Sequence, residues 1–112
     1  MGCGEEASAV HYMLFYDLVD DYVTRRQPHR GAHLKYARTF VDRGELLLAG
    51  ALAEPIDQAV LLFESQSPAV AETFAAGDPY VLQGLVKAWR VRPWTTVIGP
   101  QAAVPVPVES SQ

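Results

Sequence analysis

The 112-residue chain has a single cysteine, Cys3, so it can close no internal disulfide and cannot build a cysteine-rich zinc site. A reducing compartment follows, and the cytoplasm is the expected setting. Basic residues are also scarce. Nine Lys and Arg stand against 13 Asp and Glu, a formal net charge of -4, and a nucleic-acid binder needs a basic face for its phosphate contacts. The one basic cluster, Arg25, Arg26, His29 and Arg30, follows Asp17, Asp20 and Asp21 closely enough to be neutralised by them. Long apolar runs are missing too. The stretch from Tyr12 to Val19 is interrupted by Asp17 and preceded by Glu5 and Glu6, so it reads neither as a signal peptide nor as a membrane span. Met1-Gly2-Cys3 resembles a lipidation site only weakly, because Glu6 stands where a myristoylation signal wants Ser or Thr. No G-x-G-x-x-G, phosphate loop or cofactor lysine motif occurs, and no cofactor is expected. Ser65 and Ser67 lack the setting of a nucleophile elbow. There is no internal repeat.

What is present is globular in composition, with 49% hydrophobic and 20% charged residues in a chain that fits one domain. Residues 11–17, HYMLFYD, are aromatic and apolar without a helix period and read as a first strand. From Pro28 to Arg43, Leu34, Ala37, Phe40 and Val41 recur at three and four, with Pro28 suited to a first turn and Gly44 to the position past the end. The runs ELLLAGALA from Glu45 and AVLLFE from Ala59 form a hairpin. Ser67 and Pro68 open a second helix that ends at Gly77, and Leu85–Val91 is a fourth strand after the Asp78-Pro79-Tyr80 turn. Residues 11–98 are thus expected to be the domain, 1–10 a flexible tail and 99–112 a proline-rich flexible tail, extended or disordered, whose prolines bar it from a central strand. Thr96-Val97-Ile98 is a candidate addition to a sheet edge.

The order strand, helix, strand, strand, helix, strand is the split βαβ arrangement of an α+β, ferredoxin-like fold: an antiparallel sheet with helices on one face. Met13-Leu14-Phe15, Leu46-Leu47-Leu48 and Val60-Leu61-Leu62-Phe63 are apolar at successive positions, so the second sheet face is apolar as well. A bare face of that kind predicts a homodimer with two sheets packed about a two-fold axis.

Of the histidines His11, His29 and His33, only His33 lies in a run whose spacing, four before Ala37 and seven before Phe40, turns it toward a core. Histidine exchanges protons near neutrality, so His33 reads either as a general acid-base or as a core-edge residue satisfied by a backbone carbonyl. Asp78 before Pro79 is the usual start of a short helix through Tyr80, and its second oxygen is free to meet an imidazole. Arg30, three residues before His33, either receives an anionic substrate group or pairs with Asp17 or Asp20. Tyr16 and Asp17, at the end of the first strand, are candidates for a pocket mouth, and Tyr80 for a substrate contact; plain packing is the competing account of Tyr16. His29 and His33 have the i, i+4 spacing of two metal ligands, with Asp78 as a third, but no cysteine supports that pattern and no metal is expected.

The first strand, Arg30-Gly31-Ala32-His33-Leu34, Gly44-Glu45-Leu46-Leu47-Leu48-Ala49-Gly50, Asp78-Pro79-Tyr80-Val81 and the closing Pro93-Trp94 together resemble the YciI-like (YCII-related) family over about residues 11–98. The resemblance implies a dimeric α+β barrel of ferredoxin-like subunits, with a His and an Asp at the positions of His33 and Asp78 as the centre of the active site. The branch with an assigned activity eliminates hydrogen chloride from a chlorinated hydroxyquinol. Gly50-Ala51 departs from the glycine-proline pair usual there. The expectation is a cofactor-free His/Asp enzyme acting by elimination or isomerisation on a small, aromatic or enol-like compound, with a non-catalytic ligand-binding module or a structural dimer as the alternatives. Neither nucleic acid nor membrane is an expected partner.

Overall fold

The computed structural model describes residues 10–106. The expectations for Met1-Gly2-Cys3, for a flexible tail over residues 1–9 and for residues 107–112 lie outside that range. Strand β1, Val10–Leu18, is followed by a four-residue helix α1, Tyr22–Arg25, a single 3-10 turn over Gln27–His29, and the long helix α2, Arg30–Asp42. Strands β2, Leu46–Ala51, and β3, Gln58–Ser65, form the hairpin; α3, Ala69–Gly77, the short α4, Pro79–Leu82, and β4, Val86–Trp94, complete the chain. The sheet runs β2-β3-β1-β4, every neighbour antiparallel, which is the expected ferredoxin-like α+β arrangement with the sheet open at both edges.

Local chemistry explains the boundaries. Gly44 takes φ of 79° just past α2, a left-handed turn that glycine reaches without a Cβ penalty. The Ser67 hydroxyl accepts from Ala69 N–H at 3.2 Å at the start of α3. The last residue of α3 must be glycine, because a Cβ at Gly77 would stand 2.6 Å from the Tyr36 hydroxyl, which donates to the Phe74 carbonyl. The short α1 was not anticipated, since four residues are too few to show a helical period.

One sheet face carries the core. Leu14, Tyr16 and Leu18 of β1 and Ala59, Leu61 and Phe63 of β3 alternate inward, and Phe63 meets Phe40 of α2 and Phe74 of α3 at ring separations of 6.4 and 5.4 Å. The expected α2 stripe is narrower than its spacing suggests. Only Phe40 is buried, while Leu34 and Val41 are 51% and 45% exposed, because Leu34 borders an open cleft between α2 and the sheet and is not pressed against it. On the other face Met13, Phe15, Val60 and Leu62 are half-buried and Leu48 is 72% exposed. Arg90 lies over the Phe15 ring at 4.8 Å and reaches Asp17 at 3.6 Å, which masks part of that face.

His11 corrects the expectation that His33 alone is sheltered. Its side chain is almost fully buried and shares a 2.6 Å hydrogen bond with the Thr96 hydroxyl. Thr96 in turn belongs to a segment folded back on itself, where Val104 N–H donates to Thr96 O and Val106 N–H to Val97 O, each at 3.0 Å. Nothing in local periodicity signals such a return.

Candidate active site

Asp78 sits in extended backbone between α3 and α4, and its carboxylate is completely buried. It collects three contacts. Tyr80 N–H donates to Oδ1 at 3.0 Å as the N-cap of α4, His33 Nδ1 lies 2.7 Å from the same oxygen, and the Tyr16 hydroxyl donates to Oδ2 at 2.6 Å. Cap and imidazole partner therefore coincide, on one oxygen and not one each as expected, with the second oxygen held by Tyr16. An ionised carboxylate offers only acceptors, so His33 supplies the proton from Nδ1, and in the neutral ring the lone pair then lies on Nε2.

Three elements bring these groups together. The alternation of β1 points Tyr16 at the helices, the first turns of α2 present His33 with its side chain 14% exposed, and the break between α3 and α4 delivers Asp78. The His33 ring stacks on Tyr80 with centroids 3.8 Å apart and planes 4° from parallel, and Tyr80 meets Tyr22 edge-on at 5.7 Å. The imidazole is fixed in plane and in tilt.

Burial, reinforced by the neighbouring Asp78 charge, drives the Tyr16 phenol far above its ordinary value of 10.0. Tyr16 is therefore a permanent donor and no base. Tyr36 and Tyr80 are raised as well, chiefly by burial. A phenol whose folded value exceeds its unfolded one contributes its full stability below the unfolded value and loses it as pH rises toward the folded one. Stability is therefore expected to fall above about pH 10, as the unfolded chain ionises phenols that the folded chain keeps protonated. Alkaline titration followed by tyrosinate absorbance and circular dichroism should show the Tyr16 contribution, taken as the difference from Tyr16→Phe, only together with loss of structure. Smooth ionisation of Tyr16 in a folded protein would contradict this.

His33 opens onto a cleft of about 170 Å³. Its floor is the sheet, through Tyr16, Ala49, Ala51, Ala59 and Leu61; His33, Leu34 and Ala37 form the helical wall, and Tyr22, Arg26 and Arg30 the rim. A dry cavity of ~150 Å³ accommodates benzene, so one substituted ring matches this volume. Gly50-Ala51, the departure from the glycine-proline pattern, is part of that floor.

Of the sequence candidates, the structure brings His33, Asp78, Tyr16 and Tyr80 into contact and sets Arg30 at the rim. Asp17 is a correction. Adjacent strand residues face opposite ways, so with Tyr16 inward Asp17 lies on the far face, bonded to Gln58 at 2.8 Å. That bond is also the main reason its carboxyl is held below the usual value. Tyr22, Arg26 and the small residues Ala49, Ala51 and Ala59 were missed; Ala59 shares the parity of Leu61 and Phe63 and could have signalled the floor, whereas Ala49 and Ala51 turn inward only through the register shift between Leu46 and Leu48. No group of three or more His, Cys, Asp and Glu side chains among the described residues is arranged to hold a metal ion, and no helix among them is long and apolar enough to cross a membrane.

Several solved structures share the fold. A 5-chloro-2-hydroxyhydroquinone dehydrochlorinase from Burkholderia phenoliruptrix AC1100, in complex with 2,5-dihydroxybenzoquinone, matches with a TM-score of 0.64 and 18% identity, over 77% of this chain and 94% of that one. A NIPSNAP family protein from Agrobacterium tumefaciens matches at 0.58 with 13% identity, over 83% and 98%. A NIPSNAP-like domain protein from Burkholderia xenovorans matches at 0.56 with 15% identity, over 92% and 98%. At such identities the likeness shows architecture alone. No curated protein matches the chain by sequence. The YCII-related domain model, however, matches residues 10–95, most of the chain and every strand and helix just described, and the protein belongs to the YCII-related family.

Proposed function

We propose that this protein is a small-molecule enzyme in which His33 and Asp78 carry out cofactor-free acid-base chemistry, by elimination or isomerisation, on a small aromatic or enol-like compound. The observation that supports it is a histidine whose Nδ1 is engaged by a fully buried carboxylate while the ring lines a cleft the size of one substituted ring. His33 Nε2 takes the proton, Asp78 fixes tautomer and orientation, Tyr16 holds Asp78, Tyr80 keeps the ring flat, and Arg30 attracts the anion. In an elimination the bond to the removed proton becomes the new double bond and the leaving group departs with its electron pair, so no redox partner is needed. The compound bound by the structurally similar dehydrochlorinase, a dihydroxybenzoquinone, belongs to the same chemical class.

Titration of isotope-labelled protein with 2,5-dihydroxybenzoquinone is expected to move the NMR signals of His33, Tyr80 and Ala49 together. Perturbation confined to other surfaces would contradict the assignment.

The working unit in this proposal is a cytoplasmic homodimer. Half-buried Met13, Phe15 and Leu62 and the exposed Leu48 make an apolar sheet face that a second copy would cover. Light scattering at micromolar concentration should give twice the chain mass of 12.3 kDa; a stable monomer would exclude this arrangement.

A further inference from the structure

We infer that Arg26, Arg30 and the Tyr80 hydroxyl form an anion subsite at the rim of the cleft, so that the occupant carries a carboxylate or second ionised oxygen besides the atom served by His33. The inference rests on the small-molecule reading above and narrows its substrate class.

Three donors meet here with no anion among them, and the one acceptor Arg30 faces is the neutral Tyr80 oxygen. Neither Arg26 nor Arg30 has a carboxylate partner among the described residues, because the nearby acids are engaged elsewhere: Asp17 with Gln58 and Arg90, and Asp21 with Arg25 at 3.7 Å. Arg26 lies over the Tyr22 ring at 5.1 Å, and its Nε is buried with no hydrogen-bond partner. Tyr80 is 3% exposed, and its hydroxyl makes no hydrogen bond of good geometry; with Arg30 beside its oxygen, its own proton has no acceptor. Buried polar groups are nearly always satisfied, so two orphans in one wall call for an explanation. An arriving anion supplies it.

Electrostatics point the same way. Both guanidiniums act on Tyr80, opposing the rise that burial imposes on its phenol, which places their positive charge about its hydroxyl. The remaining lining is largely apolar, through Leu34, Ala37 and Leu61, so it screens that charge poorly. A guanidinium's planar fork matches a carboxylate or two adjacent ring oxygens better than a neutral group. The stack of Tyr80 on His33 then fixes the distance between anion and proton acceptor, which selects for a rigid ring bearing both functions.

The test is calorimetric titration of the full chain with 2,5-dihydroxybenzoate and with its methyl ester, which keeps the ring and removes the charge. The acid should bind wild type about tenfold or more tightly than the ester, the scale of one hydrogen bond to a charged group. Arg26→Gln should weaken acid binding by about tenfold and leave the ester unchanged. Tyr80→Phe preserves the ring stack and should also lower the acid's advantage, which keeps the test decisive if Arg26→Gln does not fold. Equal binding of acid and ester, or an acid preference that survives both substitutions, overturns the subsite and leaves the small-molecule reading standing. Binding of neither compound overturns that reading and this inference with it.

Discussion

Replacing Asp78 with Ala is expected to destabilise the protein by about 3–5 kcal/mol, the usual consequence of removing one member of a buried, hydrogen-bonded charged cluster. Urea unfolding of variant and wild type measures it. The carboxylate is fully buried and serves three donors at once. Without it the Tyr16 hydroxyl, itself only 1% exposed, has no acceptor, which costs roughly 1–3 kcal/mol. Loss of the α4 cap adds about 1 kcal/mol. His33 lies at the cleft and can turn to water, so its share is smaller. Release of a buried charge from its desolvation cost acts in the opposite sense and keeps the total below the plain sum. Asp78→Asn should fall between, because its amide retains one acceptor and turns an N–H toward a donor. An Asp78→Ala variant as stable as wild type would mean that the cluster contributes nothing to the fold.

His33→Gln should do the reverse: little to stability, much to chemistry. Glutamine is a good helix former and the site is partly open, so the expected cost is about 1 kcal/mol, mostly the lost hydrogen bond and ring stack. Under the proposed elimination, turnover of a chlorinated hydroxyquinol, followed by chloride release, should be detectable in wild type and fall by about 10² to 10⁴ in the variant, the range of one positioned acid-base group. Binding should weaken far less, because the floor and the rim arginines remain. A purely binding protein would instead lose affinity with no turnover to lose. A structural dimer would change only in melting temperature.

Much of the architecture was readable because its signals are local. Gly44 past a helix, Ser67-Pro68 before one and Asp78-Pro79 at a cap each act within a few residues, and the two-residue period of β1 and β3 marks which side chains enter the core. The pairing of His33 with Asp78, 45 residues apart, came from the family resemblance, since either residue alone has an ordinary structural explanation. What the pattern could not supply depends on three-dimensional return. Arg26 lines the cleft from the C-cap of the short α1, and His11 finds its hydrogen-bond partner in a segment that folds back from beyond Trp94. Asp17 is a different lesson. Proximity in sequence to Tyr16 suggested a shared site, whereas strand alternation requires that the two part.

The account turns on a neutral His33 that holds its proton on Nδ1 against Asp78 and keeps Nε2 open to the cleft. Ring-nitrogen NMR of labelled protein under mildly alkaline conditions reads this directly. The account predicts an Nδ1–H tautomer with a strongly hydrogen-bonded proton that disappears in Asp78→Asn; an Nε2–H tautomer, or a spectrum indifferent to that substitution, would contradict it.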